Sequence, residues 1–170
     1  CQHRSTTGHH PLADADALFW LADAGTWTGG PLYLTPHSAE ASRLLDVPVP
    51  DLERDRLQYA QLLRERFDAV AALLKGPGSV ITAADWCWVC AHGNPGMATA
   101  GMGDVLAGVA GGMLAGCYRA GQDADACAQA FAGAVALHSA AGDIAAERVG
   151  QISLLASDVV EALPVALRTP

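Results

Sequence analysis

Basic residues are scarce in this chain. Ten lysines and arginines stand against 18 acids, for a formal charge of -8 and a pI near 5.0. They form no cluster, which excludes a nucleic-acid surface, because a phosphate backbone demands a basic patch. Small anions remain possible where backbone dipoles hold them. No segment shows the basic start, apolar middle and small-residue cleavage site of a signal peptide, and the five cysteines are odd in number, so the expected compartment is the cytoplasm. Cys87 and Cys90 form a C-x-x-C without a second pair at zinc spacing. The alternating "WCWV" predicts instead a strand with both thiols in apolar company, and no metal site is expected. A long apolar run is also missing. Val105 to Tyr118 is apolar throughout, but Asp104, Arg119, Asp123 and Asp125 bound it short of the roughly 20 residues that a membrane span needs.

What is present is material for a core. Hydrophobic residues make up 51% of the 170 and charged ones 16%, a globular balance sized for one domain. Residues 1–11 show no periodicity and are expected to be an irregular terminal segment, with His3, His9 and His10 belonging to it and not to a metal site. From residue 12 onward the pattern is structured. A helix follows "LADAD". A short strand is expected at Leu32–Leu34, broken by Pro36, and then a helix from Ser38 or a neighbour through Leu45. Leu52, Leu57, Ala60, Leu63 and Phe67 fall at helical spacing with Arg56 and other charges opposite, predicting one surface helix. "AVAALLK", "SVIT" and "WCWVC" read as strands. Strand, helix, strand order predicts an α/β domain with a largely parallel sheet. Three helices are expected after it: one from near Gly103, with Gly108, Gly111 and Gly112 allowing a close neighbour; one over Ala124–Ala141; and one over Leu154–Leu167, kinked or ended near Pro164.

Chemistry concentrates in "NPGMATAGMGDVLAGVAGG", residues 94–112. Glycines at 93, 96, 101 and 103 let backbone amides approach a ligand, and the helix that follows adds unsatisfied N–H groups and about half a positive charge at its start. Asp104, on the same turn, is suited either to accept the proton of an attacking hydroxyl in phosphoryl transfer or merely to cap the helix. Residue spacing leaves these two readings open. His138 is expected to pack or to bond a neighbour, and Asp143 to be a local partner or cap.

The stretch "GNPGMATAGMGDVLAGVAGGMLA" resembles the signature of the ADP- or ATP-dependent NAD(P)H-hydrate dehydratases of the ribokinase-like superfamily. "DADAL" at 14–18, "LTPHSAEASRLL" at 34–45, "LLKGPGSVI" at 73–81 and "LHSAAGDIAAERVGQISLLASDVVEALP" at 137–164 match in the same order. The resemblance implies a three-layer α/β/α ribokinase-like fold, residues 12–170 being the C-terminal portion of that domain. It implies a repair reaction in which ADP or ATP, with Mg²⁺, phosphorylates the hydroxyl of hydrated NADH or NADPH (NADHX, NADPHX), after which loss of phosphate restores the dihydronicotinamide. Asp104 would then be the base, and Gly101 and Gly103 would help form the anion hole, with Asn94 shaping the loop. His37 would face the hydrate, and Lys75, Gly76, Pro77, Gly78 and Ser79 would bind the adenine nucleotide.

The chain departs from the family pattern at Ser38–Ala39, at Phe19 and at Ala100, and it begins at the segment matching the middle of the family domain. It is therefore expected to be either a fragment or a reduced form whose exposed sheet edge is covered by another subunit in a homo-oligomer. The alternatives are another ribokinase-like small-molecule kinase, or an inactive nucleotide-binding module.

Overall fold

The computed structural model describes residues 10–168, so Cys1, His3, His9 and most of the expected irregular segment lie outside the described residues. The chain divides into two compact units, Cys1–Val89 and Cys90–Pro170.

The first unit is built on a five-stranded sheet: β1 (Leu12–Ala13), β2 (Tyr33–Leu34), β3 (Ala71–Leu74), β4 (Val80–Thr82) and β5 (Cys87–Val89), in that spatial order. β1, β2 and β3 run parallel, with Leu12 beside Tyr33 and Leu34 beside Ala72. β3, β4 and β5 are antiparallel, with Leu73 beside Ile81 and Ile81 beside Trp88. The sheet is therefore mixed, not largely parallel as expected. Connection length decides the direction. Helices α1 (Asp16–Ala24), α2 (Ser38–Leu45), α3 (Val49–Arg54) and α4 (Arg56–Arg66) fill the links up to β3. The stretches 75–79 and 83–86 that follow are too short for any crossover, so the chain must double back.

Leu18, Leu34, Leu44, Leu52, Leu63, Phe67, Leu74 and Val80 form the core of this unit. β3 is buried at every position, as a central strand must be. The single helix expected over Leu52–Phe67 is two. Asp55 breaks it at φ -141° and ψ 69°, and its carboxylate accepts the Gln58 N–H at 3.0 Å to start α4. A short acid that bonds the backbone competes with helix continuation. β5 also differs from expectation: Cys87 is exposed and only Cys90 is buried.

The second unit is helical: α5 (Met102–Arg119), α6 (Ala124–Val149) and α7 (Ala156–Ala166), with α6 packed against both neighbours. α6 runs past the expected end at Ala141 because Gly142 does not stop it. A Cβ there would lie 2.3 Å from Met97 Sδ, so this glycine serves a close approach and not a helix end. Gly150, at φ 79°, ends it instead. α7 passes through Pro164, which sits in its last turn. Among the described residues, a Cβ at Gly108, Gly111 or Gly112 of α5 would meet nothing within 4 Å, which corrects the expectation of a close neighbour there. The Cys117 and Cys127 thiols lie 3.1 Å apart between α5 and α6, and burial pushes Cys127 up to about 12. Among the described residues no helix is long and apolar enough to cross a membrane.

Candidate functional site

Parallel strands bring their carboxyl ends to one edge, which is where α/β sheets collect ligand-binding residues. Asp14 follows β1, Thr35 and His37 follow β2, and Lys75 follows β3. Lys75, the only lysine in the chain, places Nζ 2.7 Å from Asp14 Oδ1 and 3.9 Å from Glu40 Oε2. The Thr35 hydroxyl donates to the same Asp14 oxygen at 2.8 Å. These side chains are mostly buried, at 21% exposure for Lys75 and 14% for Asp14, so the ammonium is held largely by the protein.

His37 caps α2. Its Nδ1 accepts the N–H groups of Ala39 and Glu40 at 3.2 and 3.3 Å, while Glu40 returns the bond to the His37 N–H at 2.8 Å. An Nδ1 that accepts leaves the ring proton on Nε2, which lies 3.5 Å from Glu40 Oε1 on a half-exposed side chain. Residues Gly76, Pro77, Gly78 and Ser79 form the turn between β3 and β4, closed by Ser79 Oγ donating to the Gly76 carbonyl at 3.1 Å. Arg56 braces this turn. One of its amino groups donates to the Leu74 carbonyl at 3.1 Å and the other to Glu53 at 2.9 Å. Ser38 donates a short hydrogen bond to Glu53, and that bond holds the Glu53 carboxyl below the usual carboxylate range.

In the second unit the glycine-rich loop is built from Asn94. Its Oδ1 accepts the Gly96 N–H at 3.1 Å, starting a turn of 3₁₀ helix over Pro95–Met97. Its Nδ2 donates to the Gly142 carbonyl at 3.1 Å and to Asp143 Oδ1 at 2.9 Å. The loop then reaches Gly101, which takes a left-handed conformation at φ 85° and serves as the N-cap of α5. Only glycine enters that region without strain. Among the described residues no side chain caps this helix start, and Asp104, in its first turn, is exposed. The carboxylate is therefore not the cap, and it sits in the field of an 18-residue helix whose first amides need an acceptor.

Behind this turn, His138 of α6 is buried and hydrogen-bonded to the backbone of Met102. Burial pushes its pKa down to about 4, although the Met102 bond opposes the shift, and among the described residues Nε2 has no hydrogen-bond partner. The imidazole is thus neutral at physiological pH.

Each unit thus gathers its own share of the expected residues: Lys75, Gly76–Ser79 and His37 in the first, Asn94, Gly101, Gly103 and Asp104 in the second. Three roles escaped the sequence. Arg56, on the charged side of the predicted surface helix, is only 14% exposed. Asp14 gave no sign of pairing with Lys75. Asp143, expected as a local partner, reaches Gly93 and Asn94 some 50 positions away. Only the "DADAL" and "AGD" stretches carried a signal for the two acids.

Residues 4–165 match the family described as NAD(P)H-hydrate dehydratase. The bifunctional NAD(P)H-hydrate repair enzyme of Moorella thermoacetica is 44% identical over 161 residues, covering 92% of this chain and 29% of that protein. The ADP-dependent (S)-NAD(P)H-hydrate dehydratase of Neisseria meningitidis is 39% identical over 158 residues, covering 89% and 51%. Among solved structures, the ADP/ATP-dependent NAD(P)H-hydrate dehydratase of Bacillus subtilis, co-crystallised with ATP and Mg²⁺, superimposes with a TM-score of 0.70 at 31% identity, over 84% of this chain and 49% of that one. A ribokinase-like superfamily protein of Enterococcus faecalis gives 0.73 at 29%, over 92% and 51%. The fold is of this ribokinase-like α/β kind. The chain spans about half, or less, of the length of these relatives.

Proposed function

The chain belongs to the NAD(P)H-hydrate dehydratase family, and from that premise we propose that it carries the repair site for hydrated nicotinamide cofactors. ADP or ATP phosphorylates the hydroxyl of NADHX or NADPHX, and loss of phosphate restores NADH or NADPH. The observation that carries this reading is the first turn of α5, where an uncapped helix start and an exposed Asp104 sit side by side.

Phosphoryl transfer asks the protein for positioning and for charge stabilisation. The Gly101–Gly103 amides, reinforced by the helix, face charge on the transferring group. Asp104 takes the proton of the attacking hydroxyl. Asn94 holds the loop in register. In the first unit the family resemblance assigns Lys75 and the Gly76–Ser79 turn to the nucleotide, and Asp14 holds the Lys75 ammonium at 2.7 Å. His37 presents Nε2–H to the hydrate while its other nitrogen caps α2. Mg²⁺ would come with the nucleotide, whose phosphates are its usual ligands in such sites.

The test is to mix the chain with NADHX, ADP and Mg²⁺ and follow absorbance in the dihydronicotinamide band. Recovery of the band supports the dehydratase reading. Consumption of ADP with another hydroxyl substrate and no recovery reassigns the site to a kinase, and ADP binding without turnover leaves a nucleotide-binding module.

A further inference from the structure

Asp143 lies on α6, yet both of its carboxylate oxygens are committed to the glycine-rich loop. Oδ2 accepts the Gly93 N–H at 2.9 Å, and Oδ1 accepts Asn94 Nδ2 at 2.9 Å. The remaining Asn94 donor goes to the Gly142 carbonyl at 3.1 Å, which leaves Asn94 Oδ1 for the Gly96 N–H at 3.1 Å. The amide of Asn94 thus has one permitted orientation. Flipping it would set its oxygen against a carboxylate and a carbonyl, and its NH₂ against an N–H.

We propose that Asp143 is a positioning residue that sets the conformation of the anion loop, acting on the Gly93 amide directly and on the Gly96 amide through Asn94. The effect on phosphoryl transfer rests on the dehydratase reading; the clamp on the loop does not. Two close approaches leave the loop little room for an alternative. A Cβ at Gly96 would lie 2.4 Å from the Gln151 carbonyl oxygen, and one at Gly142 would lie 2.3 Å from Met97 Sδ. The loop is laid directly on α6 and on the turn that follows it, and Asp143 is the charged group that fastens it there. His92 Nδ1, 3.8 Å from Asp143 Oδ2, adds a weaker contact from the loop's entry.

The chemistry separates a clamp from general support of the fold. In Asp143→Asn, one oxygen becomes an NH₂ group, and both of its partners are donors. One donor must then face a donor, unless Asn94 turns over and releases Gly96. Adding Asn94→Asp supplies acceptors for both the new NH₂ and the Gly96 N–H, and only the Gly142 carbonyl loses its partner. A control is Asp123→Ala, which removes the N-cap bond to Ala126 at the far end of the same helix.

The experiment measures amide hydrogen exchange at residues 93–97, together with kcat and KM for NADHX with ADP and Mg²⁺, in the full chain and these variants. Asp143→Asn is expected to speed exchange at Gly93 and Gly96 about tenfold or more. It should also lower kcat by roughly 10- to 100-fold, with KM for the hydrate within about threefold, the signature of misplaced rather than absent groups. The double variant should recover much of both effects. Asp123→Ala should lower thermal stability and leave kcat alone. Wild-type exchange and kcat in Asp143→Asn would overturn the clamp, as would equal kcat losses in Asp143→Asn and Asp123→Ala. A wild-type chain that converts no hydrate, yet loses loop protection on Asp143→Asn, would remove the dehydratase reading and leave the clamp standing.

Discussion

Lys75 and Asp14, 61 positions apart in sequence, form an ion pair of 2.7 Å at the carboxyl ends of β3 and β1. Parallel pairing of β1, β2 and β3 brings them to one edge, and Thr35, just past the strand between them, completes the contact. Removing one member of a poorly solvated pair strands the other, so the two losses are not independent. Asp14→Ala and Lys75→Met should each destabilise the chain, and the double variant by less than their sum, with a coupling of about 1–2 kcal/mol in urea denaturation. Strict additivity would show that the ammonium finds water instead of Asp14.

His138 predicts a pH dependence. Its pKa is about 4 when folded against an ordinary 6.5, so between those values the unfolded chain binds the proton that the folded chain refuses. Its contribution is complete above pH 6.5 and is lost as the pH falls towards 4, by roughly 3 kcal/mol in all. His138→Leu should flatten this part of the stability curve, measured as the urea midpoint against pH. An unchanged slope would place the titration elsewhere.

The glycines of the second unit should separate sharply. Gly112→Ala meets nothing within 4 Å and should stabilise α5 by about 0.5–1 kcal/mol, the usual gain of alanine over glycine in a helix interior. Gly96→Ala drives a Cβ into the Gln151 backbone and should cost roughly 1–3 kcal/mol. Thermal unfolding of the two variants checks both signs, and similar behaviour would mean that the loop does not lie on the 151 turn.

Much of this was legible in the sequence, because local rules govern it. The strand at Leu32–Leu34, the helix from Ser38 to Leu45 and the start of the glycine-rich helix each follow from apolar spacing and breakers read over a few residues. What escaped needed information from elsewhere in the chain. The antiparallel half of the sheet depends on how short the links around β4 are, and the split at Asp55 on one side chain bonding to Gln58. The helix expected over Ala124–Ala141 runs on through Gly142, whose closeness to Met97 is a tertiary fact. Likewise, Asp104 could be told from a cap only once Gly101 was seen in that place. Arg56, Asp14 and Asp143 bond partners far along the chain, which no periodicity reports.

In the proposed reaction Asp104 removes the hydroxyl proton while the α5 amides hold the phosphoryl group. The most direct measurement is the turnover of Asp104→Asn with NADHX, ADP and Mg²⁺ beside its affinity for ADP. A general base supplies about 10²- to 10⁴-fold, so kcat should fall by that factor with ADP affinity within a few-fold of wild type. Turnover at the wild-type rate would remove Asp104 as the base.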